Sequence, residues 1–149
     1  MYNKLYSYCF ILFLILSVSC SSVEKQPDCI NKTALNSTLR WGKMLGGVPT
    51  SYKSMNMMGE VTKFESKTNS EVIEFKLDKD TLCNTLEELG SLIIEIQTLN
   101  VPAENNLFIE YVNKGRDFFF RAVWDPRYKN DGNEKFNEFY HKLENLNKK

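Results

Sequence analysis

Residues 106–124 read NLFIEYVNKGRDFFFRAVW and are dense in aromatic side chains. Two runs rich in apolar and aromatic residues, at 106–112 and 117–124, flank the short segment 113–116. Asn113 and Gly115 in that segment suit the positive φ that a tight turn requires. We therefore predict an antiparallel β-hairpin, ended by Asp125 and Pro126.

Aromatic side chains fall on both faces of the second strand of this hairpin. Because side chains alternate along a strand, one face carries Phe119, Arg121 and Val123. The other face carries Phe118, Phe120, Ala122 and Trp124. Either the strand is central, or the segment with Trp41 and Met44 covers its second face.

A third interpretation is an exposed surface that binds a protein or peptide partner. Aromatic residues and Arg are enriched at interface hot spots. The candidate partner-binding residues are Phe119, Arg121, Val123 and Trp124.

The segments around this hairpin predict two helices and a second hairpin. Apolar residues at spacings of three and four predict one helix from Asp78 or Asp80 to about Leu99, and another over 133–147. Strand-like patterns at 52–64 and 71–77 predict the second hairpin. Residues 39–45 lie among glycines, which favours an irregular segment or a short edge strand.

This order predicts the α+β class. We expect a small two-layer sandwich in which two hairpins form a mainly antiparallel four-stranded sheet and two helices cover one face, in the order ββαββα. The predicted domain spans residues 51–149, after a signal peptide at 1–19 and a polar tether with an irregular segment at 20–50.

The N-terminus has the pattern of a secretory signal. Lys4 precedes an apolar run that ends at Val18. As a helix the eleven residues 8–18 span only about 16 Å, roughly half of a bilayer's hydrocarbon core. A signal peptide is therefore favoured over a spanning helix.

The residues that follow, Leu-Ser-Val-Ser-Cys-Ser-Ser at 16–22, resemble the lipobox of bacterial lipoproteins. Leu16 lies four residues before Cys20, one further than in the common pattern. The resemblance implies cleavage after Ser19 and a diacylglyceryl group, with palmitate-like acyl chains, on Cys20. Ser21, in place of Asp, favours the outer membrane. The alternative is an ordinary secretory cysteine.

Two cysteines remain after these assignments. Cys9 leaves with the signal and Cys20 takes lipid, so Cys29 and Cys83 form an even pair in an oxidising compartment. They are either bridged or two buried thiols.

Charge and motif content exclude several function classes. Nineteen basic residues balance nineteen acidic ones, so nucleic acid is not an expected partner. The single histidine, His141, disfavours an ordinary zinc site, and no cofactor motif is present. We nominate no catalytic residues and no metal ligands.

The sequence therefore predicts a lipid-anchored cell-envelope protein, attached to the membrane through Cys20, that acts as a non-catalytic binding or accessory module for a protein partner. One alternative is a small envelope enzyme with a site around Tyr111, Arg121 and Asp125. The other is a structural or adhesive lipoprotein.

Overall fold

A computed structural model describes residues 26–65, 69–97, 99–100 and 103–147. These residues form seven strands and two α-helices, in the order β1–β4, α1, β5–β7, α2. The strands are β1 Ser37–Leu45, β2 Val48–Asn56, β3 Glu60–Glu65, β4 Ser70–Lys76, β5 Leu99–Asn100, β6 Asn105–Asn113 and β7 Phe118–Trp124. The helices are α1 Lys79–Glu95 and α2 Asp131–Glu144.

All seven strands belong to one mixed sheet, in the order β4-β3-β2-β1-β6-β7-β5. Neighbours pair antiparallel except β5, which runs parallel to β7. The α+β class is confirmed in broad terms, but the predicted four-stranded, mainly antiparallel sheet is wrong. Three strands lie beyond the predicted four. One of them is β1, for which an irregular segment or a short edge strand was expected, and it lies at the centre of the sheet.

Glycine turns explain two of the three extra strands. Gly46 and Gly47, both at positive φ, turn the chain from β1 into β2. Gly59, with φ of 82°, makes the turn that divides the predicted strand at 52–64 into β2 and β3. Since β1 belongs to the sheet, the domain predicted to begin at residue 51 extends back at least to Ser37.

Both helices pack on one face of the sheet and create a single main core. Trp41, Ile109 and Trp124 are fully buried beneath α2 and α1. Trp124 lies 5.9 Å from Phe136 and 6.1 Å from Tyr140, measured between ring centroids. None of the helices in the described ranges is both long and apolar enough to cross a membrane.

The segment before β1 is fastened to this core. Cys29 and Cys83 form a disulfide that joins the segment to α1, so the bridged alternative is the correct one. Ile30 is buried, and a short 3-10 turn follows at Lys32–Ala34. Residues 26–36, expected to be part of a tether, therefore pack on the domain.

The start of α1 provides a pH-dependent contribution to stability. Asp78 caps the helix by accepting hydrogen bonds from the Thr81 backbone N–H at 2.8 Å and its hydroxyl at 2.7 Å. These bonds, the backbone bond first, hold the pKa of Asp78 below its ordinary value. The stabilisation is therefore complete above the unfolded pKa of about 4 and is lost as the pH falls through the folded pKa.

We expect Asp78→Asn to weaken this pH dependence. Asn keeps the capping acceptor but does not titrate and lacks the charge that favours a helix N-terminus. The difference in free energy of unfolding between wild type and D78N, measured in urea, should be largest near neutral pH and shrink below about pH 4. A difference that stays constant with pH would contradict the assignment.

Candidate functional site

The sheet face opposite the helices is the candidate site, and we call it the open face. The strand registers place on it Arg40, Met44, Tyr52, Phe64, Phe108, Glu110, Phe119, Arg121 and Val123. A small apolar cluster of Met44, Phe108 and Val123, with Tyr52 packed against it, lies there without any helix residue. Functional side chains on this face are thus held by strands alone.

A row of three charged residues crosses the middle of the open face. Arg40 of β1 and Arg121 of β7 lie directly opposite Glu110 of β6, one on each side. Arg121 Nε donates to Glu110 Oε2 at 2.7 Å, and Arg40 donates to Oε1 of the same carboxylate. The Glu110 side chain is 1% exposed, whereas those of Arg40 and Arg121 are 36% and 40% exposed.

This row has a net charge of +1, since two arginines surround one carboxylate. Buried Glu110 orients both guanidinium groups, and each keeps an outward part in contact with solvent. Planar groups held in this way suit a carboxylate or another planar anion. The row is therefore a preorganised surface for an acidic group.

Aromatic rings form a second row beside the charged one. Tyr52 lies 4.8 Å from Phe64 and 6.4 Å from Phe108, measured between ring centroids. The guanidinium of Arg40 lies 5.6 Å from the Tyr52 ring, and that of Arg121 lies 5.1 Å from the Phe119 ring. The Arg40 contact joins the two rows through cation–π attraction, whereas Phe119, which pairs with Val112, flanks the charged row on its other side.

Gly42 permits the contact between Tyr52 and Phe108, because it lies between them in the register. A Cβ atom at Gly42 would lie 2.2 Å from the Ser51 carbonyl oxygen and 2.6 Å from Tyr52 Cβ. Only glycine allows the strands to approach so closely.

We expect Gly42→Ala to destabilise the fold by about 1–3 kcal/mol, as overpacking does elsewhere. Gly90→Ala is the matched control, because a Cβ there meets no heavy atom within 4 Å. In the interior of a helix that change should stabilise by about 0.5–1 kcal/mol. Urea unfolding measures both, and equal effects would contradict the packing described.

Hollows lie on either side of the charged row. One of about 650 Å³ contains Arg121, Phe119 and Val123 together with Asn106. Another of about 340 Å³ contains Arg40 and Tyr52. Glu71 and Lys114 also line this second hollow, and the negative charge of the one offsets the positive charge of the other. Each arginine thus faces a recess that can hold a side chain of a bound partner.

The predicted partner-binding residues divide between the two faces. Phe119, Arg121 and Val123 lie together on the open face. Trp124 lies on the opposite face and is fully buried in the core, so it does not contribute to this surface. Sequence reasoning missed Arg40, Glu110 and Tyr52. Glu110 carried a signal, since it is a lone charge in the apolar run at 107–112.

The residues considered for an enzyme site do not come together. Tyr111 contacts the main core on the helix side, whereas Arg121 lies on the open face. Asp125 follows β7 and accepts from the Arg127 side chain and backbone N–H. These hydrogen bonds, the side-chain bond first, hold the pKa of Asp125 below its ordinary value. Asp125 therefore stabilises a turn.

Metal-ligand clusters are not found within the described ranges, where no group of three or more His, Cys, Asp or Glu residues is placed to hold an ion. His141 is exposed on α2.

Comparison with known proteins gives no match to a family model, a curated protein or a solved structure.

Proposed function

We propose that this protein is a lipid-anchored binding module of the cell envelope, with the outer membrane favoured, that binds an acidic segment of a protein partner on its open face. The observation that carries the proposal is the Arg40–Glu110–Arg121 row, flanked by aromatic rings. No catalytic role is proposed.

The chemistry of the partner follows from the open face. The charged row has a net charge of +1 and presents guanidinium groups, which favour carboxylates. Tyr52, Phe64 and Phe119 supply flat apolar area beside it. Aromatic residues and Arg together are typical of the residues that dominate binding energy at protein interfaces. An acidic peptide segment with apolar side chains fits both rows.

The anchor rests on the resemblance of residues 16–22 to a lipobox. These residues, and the signal at 1–19, lie outside the described residues. Gln26, the first described residue, follows Cys20 by only six positions, about 20 Å at full extension. A lipid on Cys20 would therefore hold the domain close to the membrane surface.

The anchor is tested by intact mass and membrane partitioning of the protein from its own host, with Cys20→Ala for comparison. We expect wild type to begin at Cys20, carry a diacylglyceryl mass and sediment with membranes, and C20A to lose both lipid and attachment. Wild type that begins elsewhere and is lipid-free would overturn the anchor.

The binding face is tested by charge reversal at Arg121 against a matched reversal at Lys129, an exposed loop residue. The probe is a synthetic peptide of alternating Glu and Phe, and binding is measured by fluorescence anisotropy. Arg121→Glu should weaken binding by roughly ten-fold or more, and Lys129→Glu by less than about two-fold. Equal effects of the two reversals would place binding elsewhere.

A further inference from the structure

A cavity of about 580 Å³ lies on the helix side of the sheet, away from the open face. Its walls are α1, the segment before β1, and the turn that joins β6 to β7. The lining is mainly apolar and includes Ile30, Leu86, Leu89, Ile93, Tyr111 and Phe118. This volume is within the range of small-molecule sites, about 300–1,000 Å³.

The apolar surface continues to the rim of the cavity. Ile94 is 80% exposed and Phe118 is 42% exposed, and both line the cavity. Along α1 the lining runs from Leu86 to Ile94, about 12 Å of helix. The site is therefore elongated and accessible from solvent, which suits a narrow apolar chain.

Gly90 supplies an independent observation. It lies inside α1 and lines the cavity, and a Cβ atom built on it meets no heavy atom within 4 Å. Glycine in a helix interior is less stable than alanine. Helix stability and local packing would both favour a larger residue here, and the glycine keeps the cavity wide beside α1.

Arg116 adds a positive charge to the apolar lining. It is exposed, and its Nε donates to Thr33 Oγ1 at 3.1 Å. That bond fastens the segment before β1 to the β6–β7 turn, and the disulfide from Cys29 to Cys83 fastens the same segment to α1. Among the described residues, no acidic side chain pairs with Arg116. Its guanidinium group can therefore bind an external anion.

We propose that this cavity binds one alkyl chain of an anionic amphiphile, in the manner of a fatty acid, with the carboxylate at Arg116. The chain lies along α1 past Gly90. This site is separate from the open face, so its occupancy does not depend on the proposed partner.

The test is isothermal titration of the full chain carrying Cys20→Ala with decanoate and dodecanoate, below their micelle concentrations. We expect one site per chain and tighter binding of the longer acid, by roughly four-fold per added methylene. Arg116→Gln should weaken dodecanoate binding by roughly ten-fold. Dodecyltrimethylammonium, which has the same chain and a positive head, should bind more weakly than dodecanoate.

Gly90 provides the decisive pair of variants. Gly90→Leu should narrow the cavity beside α1 and weaken dodecanoate binding by roughly five- to hundred-fold, whereas Gly90→Ala should retain most of the binding. Circular dichroism and the thermal midpoint check that G90L is folded. If it does not fold, Phe118→Ser, which removes one partly exposed wall, should still weaken binding. The proposal is overturned if wild type shows no saturable binding, if folded G90L binds as tightly as wild type, or if the cationic amphiphile binds equally well.

Discussion

Replacing both arginines beside Glu110 with methionine should destabilise the fold by about 3–5 kcal/mol, the usual cost of leaving a buried charge without its partner. Met preserves most of the apolar stem of Arg40 and of Arg121, so Glu110 stays covered but loses the hydrogen bonds it accepts from them. The free energy of unfolding, measured in urea at neutral pH, gives the effect directly.

A triple variant separates the stability of this row from its function. Adding Glu110→Leu to the two methionines removes the unpaired carboxylate, and buried ion pairs replaced by apolar residues often leave stability unchanged or increased. We expect the triple variant to recover most of the lost stability and to bind no acidic peptide. A double variant as stable as wild type would mean that the Glu110 carboxylate is not buried and dependent on the two arginines as described.

Loss of the disulfide should also lower the free energy of unfolding by a large amount. The bridge joins Cys29 to Cys83 across 54 positions, which corresponds to about 4 kcal/mol of stabilisation in the chain-entropy model. Cys29→Ala/Cys83→Ala should therefore lower the free energy of unfolding by about that amount. The same bridge closes one wall of the alkyl-chain cavity, so fatty-acid binding should weaken as well.

Chemical reduction of the Cys29–Cys83 bridge is the control for the double substitution. A reductant should destabilise wild type about as much as the double substitution does, and it should leave the double variant unaffected. A wild type that is insensitive to complete reduction, with free thiols verified by mass, would contradict a structural role for the bridge.

The sequence predicted those elements whose signals are local. The 106–124 hairpin corresponds to β6 and β7, and the helix expected after Asp78 begins at Lys79 with Asp78 as its cap. In the helix, a pattern of period near four coincides with a capping residue. In the hairpin, the turn lies where it was expected, but its residue at positive φ is Asp117 rather than Asn113 or Gly115. Such signals require no knowledge of the rest of the chain.

The strand predictions were wrong at glycines, because a glycine can lie either in a turn or inside a strand where two strands approach closely. Glycines around Trp41 favour irregular structure in the sequence, yet Gly42 lies inside β1 because the close approach to Tyr52 requires glycine there. Gly59 lies inside the strand predicted at 52–64, yet it forms a complete turn between β2 and β3. Only the pairing of strands distinguishes these cases.

About half of the candidate site could be predicted from the sequence. Alternation along one strand placed Phe119, Arg121 and Val123 on a common face, and that face is the open one. Arg40 lies 70 positions from Glu110, and only the register between β1 and β6 brings them together. Trp124 is a typical interface residue by type, but the alternation puts it on the opposite face, where it is fully buried in the core.

Site-specific photo-crosslinking in the native host tests whether the open face binds a partner in the envelope. A photoreactive residue at Phe119 is compared with one at Glu138, an exposed position on α2. We predict a defined protein adduct at position 119 that Arg121→Glu removes, and none at position 138. Adducts at 138 alone, or adducts at 119 that persist with R121E, would contradict the claim.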